Sequence, residues 1–225
     1  MSSIRLDGPR MPPAGGGRPE RLVILVHGYG ADGQDLIGLA PHWARLLPDT
    51  AFVAPNGPEP CAGAPFGYQW FPIGRLEPSE MWQGVRHAAS ALDAFIDTEL
   101  ERHGLNGDRL ALVGFSQGTM MSLHVGLRRR TAPAAIVGYS GALAGAEYLK
   151  QEMKGAPPVL MVHGDADDMI PIRRMHEAVT ALGEADVPVR WHISRGVGHG
   201  IAPDGLALGG QFLSDAFAGR LGVPA

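Results

Sequence analysis

Three side chains in a fixed order suggest hydrolytic chemistry: Ser116 in RLALVGFSQG (109–118), Asp167 in HGDADDMIP (163–171) and His199 in RGVGHG (195–200). A serine hydroxyl is a poor nucleophile until a base takes its proton. The base in turn needs an acid that holds its tautomer and stabilises its charged form. Ser116 lies between Gly114 and Gly118, the G-x-S-x-G pattern of a nucleophile elbow, where a strand turns sharply into a helix and presents the serine at the tip. With 32 glycines in the chain the pattern alone is weak. Its flanks carry the argument: a short apolar run, 110–113, precedes it, and 117–127 has few helix breakers and reads as a helix. The bland alternative is an ordinary strand-to-helix turn.

Nine histidines make a histidine downstream of Ser116 uninformative, but His199 stands between glycines directly after the last predicted strand. The acid is ambiguous, because Asp165, Asp167 and Asp168 share one loop; residue types alone leave Asp167 and Asp168 open. An elbow serine also calls for two backbone N–H groups that hold the developing oxyanion. One belongs to the residue after the nucleophile, Gln117. The other comes from the loop after an earlier strand, and HGYG (27–30) points to Tyr29. His27 is expected to brace that loop by hydrogen bonding. Trp70 and Phe71, together with Met169 and Ile170 beside the acid, are candidate substrate-binding residues forming an apolar wall against an acyl group. As plain core residues, Trp70 and Phe71 would be equally unremarkable.

The elements that must hold these residues follow from the pattern of apolar runs and breakers. Six strands are predicted, at 21–27, 50–54, 110–113, 134–139, 159–163 and 189–194. Between them lie helices at 35–47 (with Pro41 a kink), 78–103 (with Ser79 as N-cap), 117–127, a short segment at 146–153, 171–182 and 205–218. Strands alternating with helices, without a repeat or linker, predict one α/β domain with a mostly parallel, doubly wound sheet. Its chemistry is expected at the carboxyl ends of the strands. The Gly- and Pro-rich stretch 7–20 reads as a mobile loop after at most one short edge strand. The division is therefore a flexible segment, 1–20, and a catalytic domain, 21–225. The irregular stretch 55–77 is long enough to be a functional wall or lid.

Composition excludes several classes. At 225 residues, 45% hydrophobic and 19% charged, the chain can build a sizeable core. Nineteen Lys and Arg against 23 Asp and Glu give −4, and the longest basic block is Arg128-Arg129-Arg130, at a helix end where cations suit the dipole. Nucleic acid is not expected as a partner. A single cysteine, Cys61, forbids an internal disulfide and fits a reducing compartment. The absence of a long apolar run argues against a membrane span, and no apolar signal region opens the chain, so a cytoplasmic location is expected. No cluster has metal-ligand spacing and no Walker A sequence is present, so no metal site is expected. One competing signal is GYGADG (28–33), which matches the dinucleotide fingerprint of an oxidoreductase. It lacks the acid at the end of the second strand that would hold a ribose.

Taken together, HGYGADGQDLIGLA, FVAPNGPEPC, QWF (69–71), GFSQG, HGDADDMIP and GVGHG resemble the bacterial phospholipase/carboxylesterase family, which shares the α/β-hydrolase fold with the acyl-protein thioesterases. The resemblance runs from about Arg21 to the last helix. It implies a serine carboxylesterase acting on small- to medium-chain acyl esters without a cofactor, with acyl-thioester or lysophospholipid hydrolysis as the alternative. It puts the nucleophile on Ser116, the base on His199 and the acid on Asp167, four residues after the histidine of HG-x-x-D, in preference to Asp168. The oxyanion donors fall on the amides of Tyr29 and Gln117. Members commonly carry leucine where this chain has Tyr29, a departure that bears on the size and polarity of the nearby pocket. Many members are dimers, so the resemblance also suggests a homodimer.

Overall fold

The computed structural model describes residues 5–61, 63, 64 and 66–221. In chain order the elements are β1 (Arg10–Met11), β2 (Arg21–Val26), α1 (Gly33–Ile37), α2 (Ala40–Trp43), β3 (Thr50–Val53), β4 (Glu59–Pro60), β5 (Tyr68–Gln69), α3 (Pro78–His103), β6 (Leu110–Phe115), α4 (Gln117–Gly126), β7 (Ala135–Tyr139), α5 (Leu149–Glu152), β8 (Val159–Gly164), α6 (Arg173–Glu184), β9 (Val189–Ser194) and α7 (Pro203–Phe217). Seven strands form one sheet in the order β1-β3-β2-β6-β7-β8-β9. Every neighbouring pair is parallel except β1 and β3 at the edge. β4 and β5 make a separate antiparallel ribbon inside the long irregular stretch.

The near-continuous apolar strands follow from burial on both faces. Alternate residues of β2 part company: Leu22, Ile24 and Val26 join the core under α3 and α4, whereas Val23 and Leu25 join the one under α1, α2 and α7. Along β8, Val159 and Met161 pack against α6, and Leu160 and Val162 face the opposite layer. All ten residues of α4, wedged between its neighbours, are buried. Because the strands run parallel, the loops after β2, β6, β7, β8 and β9 all emerge at one rim of the sheet, where doubly wound folds place their chemistry.

Three expectations are corrected in detail. The single kinked helix over 35–47 is two short helices, α1 and α2, with the break before Pro41, which lacks an N–H and suits the start of a helix rather than its interior. Helix α3 is not capped by Ser79: Glu77, in extended conformation and without a side-chain cap bond, precedes Pro78. The segment 7–20 is tied down in its first half. Met11 and Arg10 pair with β3, the Ala54 amide donates to Pro9 O at 3.0 Å, and Leu6 is buried in the core under α3. The basic triplet is partly consumed by ion pairs, Arg128 with Glu152 and Arg129 with Asp93 and Asp97 of α3. Among the described residues no helix is long and apolar enough to cross a membrane.

Candidate active site

The turn from β6 into α4 is possible because two glycines leave room for backbone. A Cβ on Gly118 would lie 1.8 Å from Val26 O, and one on Gly114 would lie 2.3 Å from Gly118 O. Ser116 at the tip has φ 54° and ψ −116°, a conformation that L-residues with a side chain rarely adopt and that surrounding structure must impose. The turn is held from the neighbouring strand: the Ser116 amide donates to Tyr139 O at 2.9 Å, and Thr119 Oγ1 lies 2.8 Å from the same carbonyl and 2.9 Å from Gly114 O.

His199 and Asp167, 32 residues apart in the chain, meet at this rim. His199 Nδ1 donates to Asp167 Oδ2 at 2.8 Å, which leaves Nε2 as the acceptor nitrogen. The His199 ring packs on Phe115, the residue before Ser116, with centroids 4.9 Å apart. The Asp167 side chain is fully buried, and each of its oxygens is used. Oδ1 accepts from the amides of Met169 at 3.0 Å and Ile170 at 2.9 Å. Oδ2 also lies 3.2 Å from Nε2 of His163, which donates to Ile170 O at 2.7 Å. These acceptors assign the His163 tautomer. Asp168 is exposed and Asp165 accepts from the Gly196 amide, so neither is placed as Asp167 is.

The loop after β2 runs against the elbow: a Cβ on Gly28 would sit 3.2 Å from that of Ser116. Tyr29 follows directly and is 40% exposed. Gln117 opens α4, and the first amides of a helix have no partner within it and sit at the positive end of its dipole. His27 braces the loop. Its Nδ1 donates to Gly28 O at 2.7 Å and its Nε2 accepts from the Gly57 amide at 2.8 Å, and burial lowers its pKa, which keeps it neutral.

Of the residues expected to line an acyl site, the structure separates two pairs. Met169 and Ile170 border a cavity of about 160 Å³, with Met120 from α4 and Ala142 from the loop after β7. Trp70 and Phe71 do not, and the expectation of a wall made by them is corrected. Both side chains are closed in the core, 0% and 1% exposed. Their physical role is attachment. The Gln117 side chain accepts from the Trp70 amide at 2.9 Å and donates to Phe71 O at 2.8 Å, and Trp70 Nε1 donates to His27 O at 3.0 Å. The irregular stretch is thereby stitched to the elbow and to the loop after β2.

Three contributors were not singled out from sequence. His163, read only as the end of a strand, stands in the HG-x-x-D motif and is the one for which a signal existed. The Gln117 side chain carries no separate signal in the sequence, where the elbow motif points to its amide. Ser140, at φ 44°, donates from Oγ to Gly200 O at 3.2 Å and so anchors the loop that carries His199. The GYGADG loop leads into a helix of only five residues whose N-cap is Asp32, with Oδ1 accepting from the Asp35 amide. A carboxylate therefore sits where a pyrophosphate would have to bind. Among the described residues no three His, Cys, Asp or Glu side chains converge as they would on a metal ion.

Known proteins similar to this chain include esterases and acyl-protein thioesterases. The crystal structure of esterase PE8 superposes with a TM-score of 0.91 at 42% identity, covering 95% of this chain and all of that one. Acyl-protein thioesterase 1 of Neurospora crassa is 27% identical over 232 residues, 96% of this chain and 94% of that protein. Esterase YpfH of Escherichia coli is 29% identical over 192 residues, 81% of this chain and 77% of that protein. The model of the Phospholipase/Carboxylesterase family matches residues 13–216, from before β2 to the end of α7. The match spans the elbow and both loops that bring His199 to Asp167, and the chain belongs to the phospholipase/carboxylesterase family.

Proposed function

We propose that this carboxylic ester hydrolase works through Ser116 as nucleophile, His199 as base and Asp167 as the acid that orients it. The observation that carries the reading is the 2.8 Å contact between His199 Nδ1 and Asp167 Oδ2, beside a serine held at φ 54°. His199 Nε2 takes the hydroxyl proton as Ser116 Oγ attacks the ester carbonyl. The amides of Tyr29 and Gln117 bind the oxyanion. Collapse of the tetrahedral intermediate expels the alcohol, which takes the proton from His199, and leaves an acyl-enzyme. Water, deprotonated by the same nitrogen, releases the acid and restores Ser116. Met169 and Ile170 border the acyl site. A cavity of about 160 Å³ favours short acyl groups, since pockets for drug-sized ligands span roughly 300–1,000 Å³.

The test is labelling by an active-site fluorophosphonate together with hydrolysis of esters of graded chain length. Wild type should label and turn over; Ser116→Ala should neither label nor retain more than about 10⁻⁴ of kcat. Labelling that persists in Ser116→Ala would remove Ser116 from the role. A second reading, thioester hydrolysis by the same groups, is favoured by relatives named acyl-protein thioesterase 1. Paired oxygen and sulfur esters of one acyl chain separate the two. The reading carries with it a small-molecule ester as substrate, no nucleic-acid partner, a homodimer and a cytoplasmic location. Light scattering of the purified protein checks the assembly.

A further inference from the structure

The cavity beside Ile170 has a rim of one charge. Arg75, Arg173 and Arg174 line it and no Asp or Glu does, in a chain whose formal net charge is −4. Arg173 and Arg174 are the first two residues of α6, whose first turn contains no acidic residue. The positive end of the helix dipole disfavours cations there, so the two guanidiniums add to a field they do not relieve. Arg174 is offset by Glu177 at 3.1 Å. Arg75 and Arg173 make no ion pair among the described residues. The backbone at Arg75 is also held in place: Leu76 next to it has φ 56°, and Glu80 accepts from the amides of Gly74 and Arg75, so that carboxylate is committed to backbone. A bulky residue in that conformation persists only where its surroundings impose it.

The cavity lies on one side of the reacting centre. Met120 is in the first turn of α4, where its amide reaches Ser116 O at 3.4 Å, and Ala142 follows Gly141, whose Cβ would lie 2.9 Å from the same oxygen. No residue of the loop that carries His199 lines it. The leaving alcohol must sit by the imidazole that protonates it, so this cavity faces the acyl side.

We propose that the enzyme selects acyl chains that end in an anion, as in monoesters of short dicarboxylic acids. Methylenes fill the apolar floor, and Arg75 and Arg173 take the distal carboxylate in charge-assisted hydrogen bonds. The proposal rests on the esterase reading above and adds a substrate class to it.

The experiment compares monoethyl adipate with ethyl hexanoate, which share chain length and leaving group and differ in a terminal carboxylate against a methyl. Ethanol release gives kcat/KM for both, and their ratio is the readout. At low ionic strength the wild-type ratio should be roughly 4 to 25, each exposed arginine contact being worth roughly two- to fivefold. Arg75→Ala/Arg173→Ala should bring it to about 1, and Arg75→Glu/Arg173→Glu below 1. High salt should compress the wild-type ratio. Circular dichroism checks that the variants fold. A wild-type ratio near 1, or a ratio unchanged in either double variant, overturns the proposal while hydrolysis of ethyl hexanoate keeps the esterase reading. Serine labelling without turnover of either ester also counts against the proposal. No labelling and no turnover of either ester overturns both.

Discussion

Glu99 and Asp167 are both buried carboxylates, and each is surrounded by different donors. Glu99, on α3, is fully buried and meets two guanidiniums: Arg10 at 2.8 and 3.2 Å, and Arg102 at 3.2 Å. Asp167 meets two backbone amides and two imidazoles and no arginine. Cations cancel the first charge where it stands, and the result is a clamp that holds the segment before β2 against α3. Backbone amides and imidazole nitrogens, with no guanidinium among them, hold the second in place. Its negative charge therefore remains available to an imidazolium when one forms at His199. Burial of a carboxylate is thus compatible with opposite uses, and the partners decide which.

The largest effect should separate the two. Asp167→Asn is expected to lower kcat by roughly 10³ to 10⁴, because the amide favours the wrong tautomer of His199. Glu99→Gln should leave kcat essentially unchanged; steady-state ester hydrolysis under saturation measures both, and equal losses would dissolve the contrast. Stability should sort in the other direction. Arg10→Met leaves Glu99 with one cation, at an expected cost of about 2–3 kcal/mol in urea unfolding. The hydrogen bond to Glu99, first of all, raises the basicity of Arg10.

His163→Leu removes the second imidazole from Asp167. It should lower kcat by roughly 10- to 100-fold through misplacement of the acid, with KM little altered; a change confined to KM would make His163 a folding residue only. His124 is buried, and among the described residues neither a carboxylate nor an amide hydrogen-bonds its ring. Burial, then the nearby charges of Arg128 and Arg86, push its pKa down to about 3. The unfolded chain binds its proton below about pH 6.5 and the folded protein does not. Stability is therefore whole above that pH and is lost as pH falls toward 3, by less than about 1.4 kcal/mol per pH unit from this group. His124→Leu should flatten that limb in chemical denaturation at stepped pH. A small effect is expected of Asp168→Asn, within a few-fold of wild-type kcat, because Asp168 is exposed and outside the network.

Much of the fold was legible because its signals are local. Apolar runs marked the six main strands, and the period of α3 placed it at 78–103, the bounds observed. Apolar patterning does not reveal two-residue strands such as β1, whose order comes from pairing with β3, Arg10 with Val53 and Met11 with Phe52. At the candidate site, local chemistry could nominate Ser116, a downstream histidine and a loop with three aspartates, but residue types could not choose among those aspartates. The motif resemblance favoured Asp167, and the folded loop gives a reason in geometry: only there do the Met169 and Ile170 amides converge on a carboxylate facing His199.

What the sequence determines by itself is the order of elements and the kinds of residue delivered to each loop, since periodicity and turn chemistry act over a few positions. The tertiary structure decided which loops touch. The attachment of Trp70 and Phe71 to Gln117, of His163 to Asp167 and of Ser140 to the His199 loop depends on strand register and on helices packed across the sheet. Those are contacts between distant segments, and their free energy exists only once the whole sheet is assembled.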